Sequence, residues 1–393
     1  MQDFFPGVFV SRLEGHYQIP AVDAAVPAGI VFTAMIVWII ATSQRKPDVS
    51  EVHKEFLCHE TSEMLRGIAI ICLLFGHFAI KCIQGESFFE FAGKWAVIIF
   101  LFISGIALTK TYGLSDLKPS FLLKRAARLF PATWITLILF FILDYVLLGK
   151  TYSITKVVFN FMGFLTTDPP NGPAWYITYI LFLYALYFLI STVQRPVLWR
   201  IAILLILSYS SSVLIWRFAM LGDLIRVWTF YAMVFPCAVA IGMYSKQIQS
   251  MLDAMLKARP VMYLFLTASL LALYFSRAGL EEVSHLVSKF PFKHTMIVSH
   301  EIVLVCALIM ITRLMDRFGM VSKGLMWLGR YSFEIFLIHM PFMISYDFFL
   351  FRKPLAFFFS LYILFVLSLS VVLKKISWDF PRPRSASPQQ RVD

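Results

Sequence analysis

The sequence predicts an all-α fold: a polytopic bundle of transmembrane helices, about eleven spans with one re-entrant segment. Three observations predict it. The 393 residues are 59% hydrophobic and 15% charged, with a mean hydropathy of +0.76, whereas soluble domains carry about 25% charged residues. Apolar stretches of about 20 residues recur, the length that crosses ~30 Å of hydrocarbon at 1.5 Å per residue. Basic residues also gather between alternate stretches. A closed barrel is the other spanning solution, but its strands must alternate, and runs such as Val97 to Leu108 do not.

In chain order, spans are expected near 25–43, 66–84, 92–110, 130–148, 174–193, 198–216, 227–245, 260–277, 295–313, 330–350 and 355–373. Residues 1–20 are polar and mixed and carry no cleavable leader pattern, so the first apolar segment reads as a retained helix. Residues 44–65 hold five acids and read as a surface connector. The run 153–167 is apolar but short, which suits a re-entrant or interfacial element. Residues 1–60 are expected to form an accessory helix with its connector, and 61–375 the membrane core. Residues 376–393, rich in Pro, Arg and Ser, form a disordered tail in this reading.

Charge sets the orientation. With the N-terminus outside and 153–167 not crossing, the inner loops carry Arg45, Lys46 and Lys54, then Lys118, Lys124, Arg125 and Arg128, and later Lys246, Lys257, Arg259, Arg313, Arg317 and Lys323. The basic C-terminal tail falls on the same side. This satisfies the positive-inside rule for an inner (plasma) membrane protein. It also explains the formal charge of +12 without nucleic acid. The five cysteines show no paired spacing and read as small buried hydrophobes. No zinc spacing, nucleotide loop or nucleophile elbow occurs.

His77 stands in the apolar run that starts at Arg66. An ionisable group inside a span is a functional-site hypothesis by default, here a general base in a protein-lined cavity. Packing against a neighbouring helix is the bland alternative. Arg66 and His77 are eleven residues apart, so they share a helix face about 16 Å apart along the axis. Arg125 and Arg128 are i and i+3, and their guanidiniums can converge on one phosphate; an anchor at a span end is the bland reading. Ser104 and Gly105 make a small-residue notch, giving either close helix packing or backbone room for a ligand chain. Trp175 and Tyr176 follow a Pro-Pro-Asn-Gly-Pro turn, as an interfacial belt or a substrate-facing pair. Arg330 and Glu334 are i,i+4 and are expected to pair, while Ser332 and His339 share a face. His300 and Glu301 read as structural or as a substrate rim.

Taken in order, Arg66-Gly-Ile-Ala…Gly-His77, Phe-Ile-Ser104-Gly105, Arg125-x-x-Arg128-Leu-Phe-Pro131, Trp175-Tyr176 and Leu-Gly-Arg-Tyr-Ser332…Leu-Ile-His339-x-Pro341 resemble the acyltransferase-3 family over about residues 60–373. The resemblance implies a membrane O-acyltransferase that takes an acyl group, usually acetyl from acetyl-CoA, to a hydroxyl of an exported or lipid-linked polysaccharide. It implies catalytic roles for His77, as base on the acceptor hydroxyl or as a transient acyl carrier, and for His339, and donor binding by Arg125, Arg128, Ser104 and Gly105. Arg66, Trp175, Tyr176, Ser332 and Glu334 are the substrate-binding expectations, with no metal and no permanently bound cofactor. Polysaccharide synthesis or export proteins are implied partners. One departure is Ile180, where many members carry glutamate. A transporter or flippase of a glycan precursor is the competing reading, since carriers also use mid-span histidines. A non-catalytic assembly component is a third.

Overall fold

In the computed structural model, residues 19–45, 55–84, 92–114, 117–164, 166, 169–217, 230–275, 292–346, 348–350 and 352–378 are described. They form fourteen α-helices with four two- or three-residue strands. The helices are α1 (Ala21–Ala41), α2 (His59–Cys82), α3 (Ala92–Tyr112), α4 (Ser120–Leu148), α5 (Ile154–Phe161), α6 (Trp175–Ser191) and α7 (Val197–Arg217). They continue with α8 (Val234–Met243), α9 (Ser245–Ala258), α10 (Pro260–Phe275), α11 (Phe292–Phe318), α12 (Lys323–Arg330), α13 (Ser332–Ile344) and α14 (Leu355–Trp378). This is a multi-pass membrane protein built as a helical bundle.

Eight of the described helices are long and apolar enough to cross a membrane, against the eleven expected. The other three expected spans appear as shorter helices. The stretch 330–350 is interrupted at Tyr331, which leaves α12 and α13 as separate pieces. The stretch 260–277 contains α10, which meets the polar α9 at a 118° bend. In 227–245 the described residues begin at 230 and hold α8. Of the expected connector, 46–54 lie outside the described set, as does nearly all of the tail. Residues 59–65 are not a surface segment but the first turns of α2, with Thr61, Glu63, Met64 and Leu65 buried. Helix α14 continues to Trp378, just past the expected start of that tail.

The segment after α4 does not cross. Gly149 ends α4 in the left-handed conformation, which suits glycine. The chain then folds back along α4: Tyr152 lies edge-on to Phe141, the Trp134 Nε1–H donates to the Phe161 carbonyl at 2.8 Å, and Gly163 sits against Phe130. Eight residues of helix reach only about 12 Å, too short to span.

Three glycine contacts set the core around α2. A Cβ at Gly67 would strike the Leu325 carbonyl, and one at Gly329 would strike the Glu63 carbonyl, so α12 lies directly on α2. A Cβ at Gly76 would strike the Gly93 amide, which brings α3 equally close. Backbone approach through small residues is how apolar helices associate where lipid is as oily as the core. Helix α1 packs on this assembly through Phe32 against Phe75, whose ring also meets Phe359 of α14. The end of α1 seats α12: the Gly324 amide donates to Thr42 Oγ1 at 3.2 Å, and Ser322 Oγ to the Ile39 carbonyl at 3.1 Å. Strand Ser43–Arg45 pairs antiparallel with Met320–Ser322 beside it. No disulfide joins the described cysteines, and Cys306 is exposed on α11 where burial was expected.

Candidate active site

His77 and His339 meet. His77 Nδ1 lies 2.7 Å from His339 Nε2, with the two ring planes 3° from parallel. The far side of His339 decides which nitrogens carry hydrogen. Its Nδ1 sits 2.8 Å from the Phe336 carbonyl and 3.2 Å from that of Ile335. A carbonyl only accepts, so Nδ1 is the donor, and a neutral imidazole has one hydrogen to give. His339 Nε2 is therefore the acceptor and His77 Nδ1 the donor. His77 is left with its lone pair on Nε2. That edge of the ring faces Gly93: a Cβ there would lie 3.6 Å from Nε2. Both nitrogens of His339 are thus engaged, so it holds His77 and keeps none free for a substrate.

Helix α13 is itself braced at this depth. Pro341 has no N–H, which frees the Leu337 carbonyl of its helical donor. Asn171 supplies one, its Nδ2 donating to Leu337 O at 2.8 Å, and it is fully buried. The Tyr362 hydroxyl of α14 donates to the His339 carbonyl at 2.7 Å. The Pro-Pro-Asn-Gly-Pro turn is therefore a bracket for the histidine helix. Its sequence signalled a rigid turn but not the partner.

A cavity of about 540 Å³ lies at the arginine end of the bundle. Arg66, Arg125, Arg128, Arg330 and Lys374 line it, against the single carboxylate of Glu334. Arg125 is held by aromatic faces: its guanidinium carbon is 5.1 Å from the Tyr112 ring centre, 5.3 Å from Phe121 and 5.8 Å from Tyr184. Its buried Nε has no hydrogen-bond partner among the described residues, and such a donor is costly unless a ligand completes it. Arg128 is exposed on the next turn. Ser104 lines the cavity and its Oγ lies 3.0 Å from the Tyr184 hydroxyl. Tyr176, Ile180 and Ser332 line it too.

Two expectations are corrected, the ligand room at Gly105 and the Arg330–Glu334 pair. Gly105 gives room to a helix and not to a ligand: a Cβ there would lie 2.6 Å from Ala238 Cβ on α8. Trp175 is outside the cavity and stacks on Tyr231 at 6.2 Å. Arg330 and Glu334 do not pair, because the break at Tyr331 removes their common helix. Arg330 instead lies 3.7 Å from Glu63, and Glu334 3.8 Å from Lys374. Lys374, which also donates to the Arg330 carbonyl, read in the sequence only as positive-inside charge. His300 and Glu301 belong to the α10–α11 contact, His300 stacked 4.5 Å from Tyr274 and Glu301 accepting from its hydroxyl at 3.1 Å. Among the described residues no cysteine lines the cavity and no group of side chains could hold a metal. At the head of α2, burial pushes the Cys58 thiol up to about 11, which leaves it protonated and inert.

A family model described as an acyltransferase domain matches residues 61–375. No curated protein and no solved structure matches the chain. The match takes in both histidines and all five cations of the cavity, and leaves out α1.

Proposed function

The chain belongs to the acyltransferase-3 family, and from that premise we propose that this membrane acyltransferase moves an acyl group, acetyl foremost, from acyl-CoA to a hydroxyl of an exported or lipid-linked polysaccharide. One observation carries the reading: a histidine with a defined, unprotonated Nε2 stands beyond the end of a cavity lined by five cations. Arg125 and Arg128, with Arg66, Arg330 and Lys374 around them, suit the phosphates of the donor. The unpartnered Nε of Arg125 supports that role. Loop charge supports a reading with this end in the cytoplasm, the N-terminus outside and the chain in the inner membrane.

His77 Nε2 takes the proton of the acceptor hydroxyl as the oxygen attacks the thioester carbonyl. The tetrahedral intermediate collapses, the C–S bond breaks, and the thiolate leaves. The proton on His77 then goes to the departing sulfur. His339 keeps His77 in the required tautomer and strengthens its hydrogen bond as the ring becomes charged. In this reading transfer runs directly from donor to hydroxyl. The test uses purified protein in lipid nanodiscs, labelled acetyl-CoA and envelope polysaccharide. Label appearing in the polysaccharide, with one thiol released per acetyl, supports the enzyme. Glycan movement in proteoliposomes that neither needs nor consumes acyl-CoA would favour the carrier instead.

A further inference from the structure

The donor cavity stops short of the histidines, and the same kind of side chain stops it on three helices. Along α3 the lining runs from Tyr112 to Phe100, along α6 from Tyr184 to Tyr176, and along α13 from Ser332 to Phe336. Each row ends on a ring. The three rings touch: Phe100 and Tyr176 are 6.3 Å apart between centres, Tyr176 and Phe336 5.3 Å. Neither His77 nor His339 lines the cavity, yet the Phe336 ring centre is only 6.1 Å from that of His339. The cavity lining is mixed: Arg66, Arg125, Arg128, Arg330 and Lys374 give it cations, and Phe100, Ile103, Ile180 and Phe336 give it an apolar share.

A ligand filling this space has an anionic handle and a short apolar tip. We infer that Phe100, Tyr176 and Phe336 form the end wall that selects the acyl group by length, standing between the donor cavity and the His77–His339 pair. This rests on the acyl-CoA reading given above and deepens it. A two-carbon acyl group fits against the rings, while each further methylene pushes into them. Pockets of this kind discriminate about tenfold or more per methylene, so the wall makes this a short-chain acyltransferase. Phe336 stands nearest the histidines, so its truncation opens the wall toward them.

The experiment compares acetyl-, butyryl- and hexanoyl-CoA as donors for wild type, Phe336→Ala and Phe100→Leu, measuring kcat/KM for each ester and the affinity for free coenzyme A. Wild type is expected to prefer acetyl, and both variants are expected to raise the butyryl-to-acetyl ratio by about tenfold or more with free coenzyme A affinity unchanged. A ratio that stays at the wild-type value in a variant that still binds coenzyme A overturns the wall. Should Phe336→Ala fail to fold, Phe100→Leu, which acts from a different helix, decides alone. Wild type that transfers acetyl while the ratio stays fixed sinks only this inference; wild type that transfers no acyl group from any ester sinks the proposed function itself.

Discussion

Replacing His339 with alanine separates a residue that acts on substrate from one that positions another. His339 accepts from His77 Nδ1 at 2.7 Å and donates to the Phe336 carbonyl at 2.8 Å, and it does not line the cavity. Its loss leaves the Nδ1–H of His77 without its acceptor, a cost of about 1–3 kcal/mol for a buried donor. The same bond becomes charge-assisted when His77 takes its proton, and such bonds are worth about 1.5–3 kcal/mol. These are two views of one interaction and are not summed. At about 1.4 kcal/mol per decade, kcat should fall by roughly 10- to 150-fold. The donor KM should hold, since no donor-lining group has changed. Removal of the base itself, in His77→Ala, should cost about 10²- to 10⁴-fold. The glutamine variant tests the geometry: its carboxamide oxygen can accept from His77 Nδ1, so His339→Gln should recover part of the loss. Release of coenzyme A thiol in the presence of acceptor reads all four proteins. An unchanged kcat in His339→Ala would refute the tautomer argument. So would a loss equal to that of His77→Ala accompanied by a raised donor KM, because His339 would then be acting on substrate.

Other consequences follow from the cavity and its supports. Arg125→Ala should weaken acyl-CoA binding by about 10- to 100-fold, from the loss of ~1.5–3 kcal/mol of charge-assisted bonding; Arg125→Lys should not restore it, because three rings hold a planar guanidinium, as donor titration would show. Asn171→Ala should lower thermal stability by about 1–3 kcal/mol, since the Leu337 carbonyl loses the donor that Pro341 cannot provide, and melting in detergent would measure it. Gly329→Ala should force α12 away from the Glu63 backbone at a cost of about 1–3 kcal/mol. The same variant should raise the donor KM, because Arg330 is the next residue of α12 and lines the cavity.

Much of the bundle was legible in the sequence because a membrane span needs about 20 apolar residues. All eight long helices overlap the expected spans. The breaks were harder to read. Nothing in Gly-Arg-Tyr-Ser announces that the helix stops at Tyr331, since the interruption comes from packing α12 flat on α2 through Gly67 and Gly329. Helix faces were harder still. In a soluble helix the apolar stripe marks the core, but here lipid-facing and core-facing residues are equally apolar. Ser104 and Gly105 are neighbours in sequence, yet one faces the cavity and the other Ala238. The histidines could be singled out because imidazole is rare in hydrocarbon. Their direct hydrogen bond joins residues 262 apart and depends on a tertiary contact. Lys374 and Tyr184 escaped for the same reason: a lysine near a helix end and a tyrosine among tyrosines carry no local signal.

The central claim is that His77 Nε2 receives the acceptor's proton during acyl transfer. The most direct measurement is acceptor-dependent transfer of labelled acetyl by wild type and His77→Ala, each purified in nanodiscs and each shown to bind acetyl-CoA. The account predicts that wild type labels the polysaccharide and that His77→Ala binds the donor with wild-type affinity while transferring at least ~100-fold more slowly. Transfer at the wild-type rate by His77→Ala would contradict it.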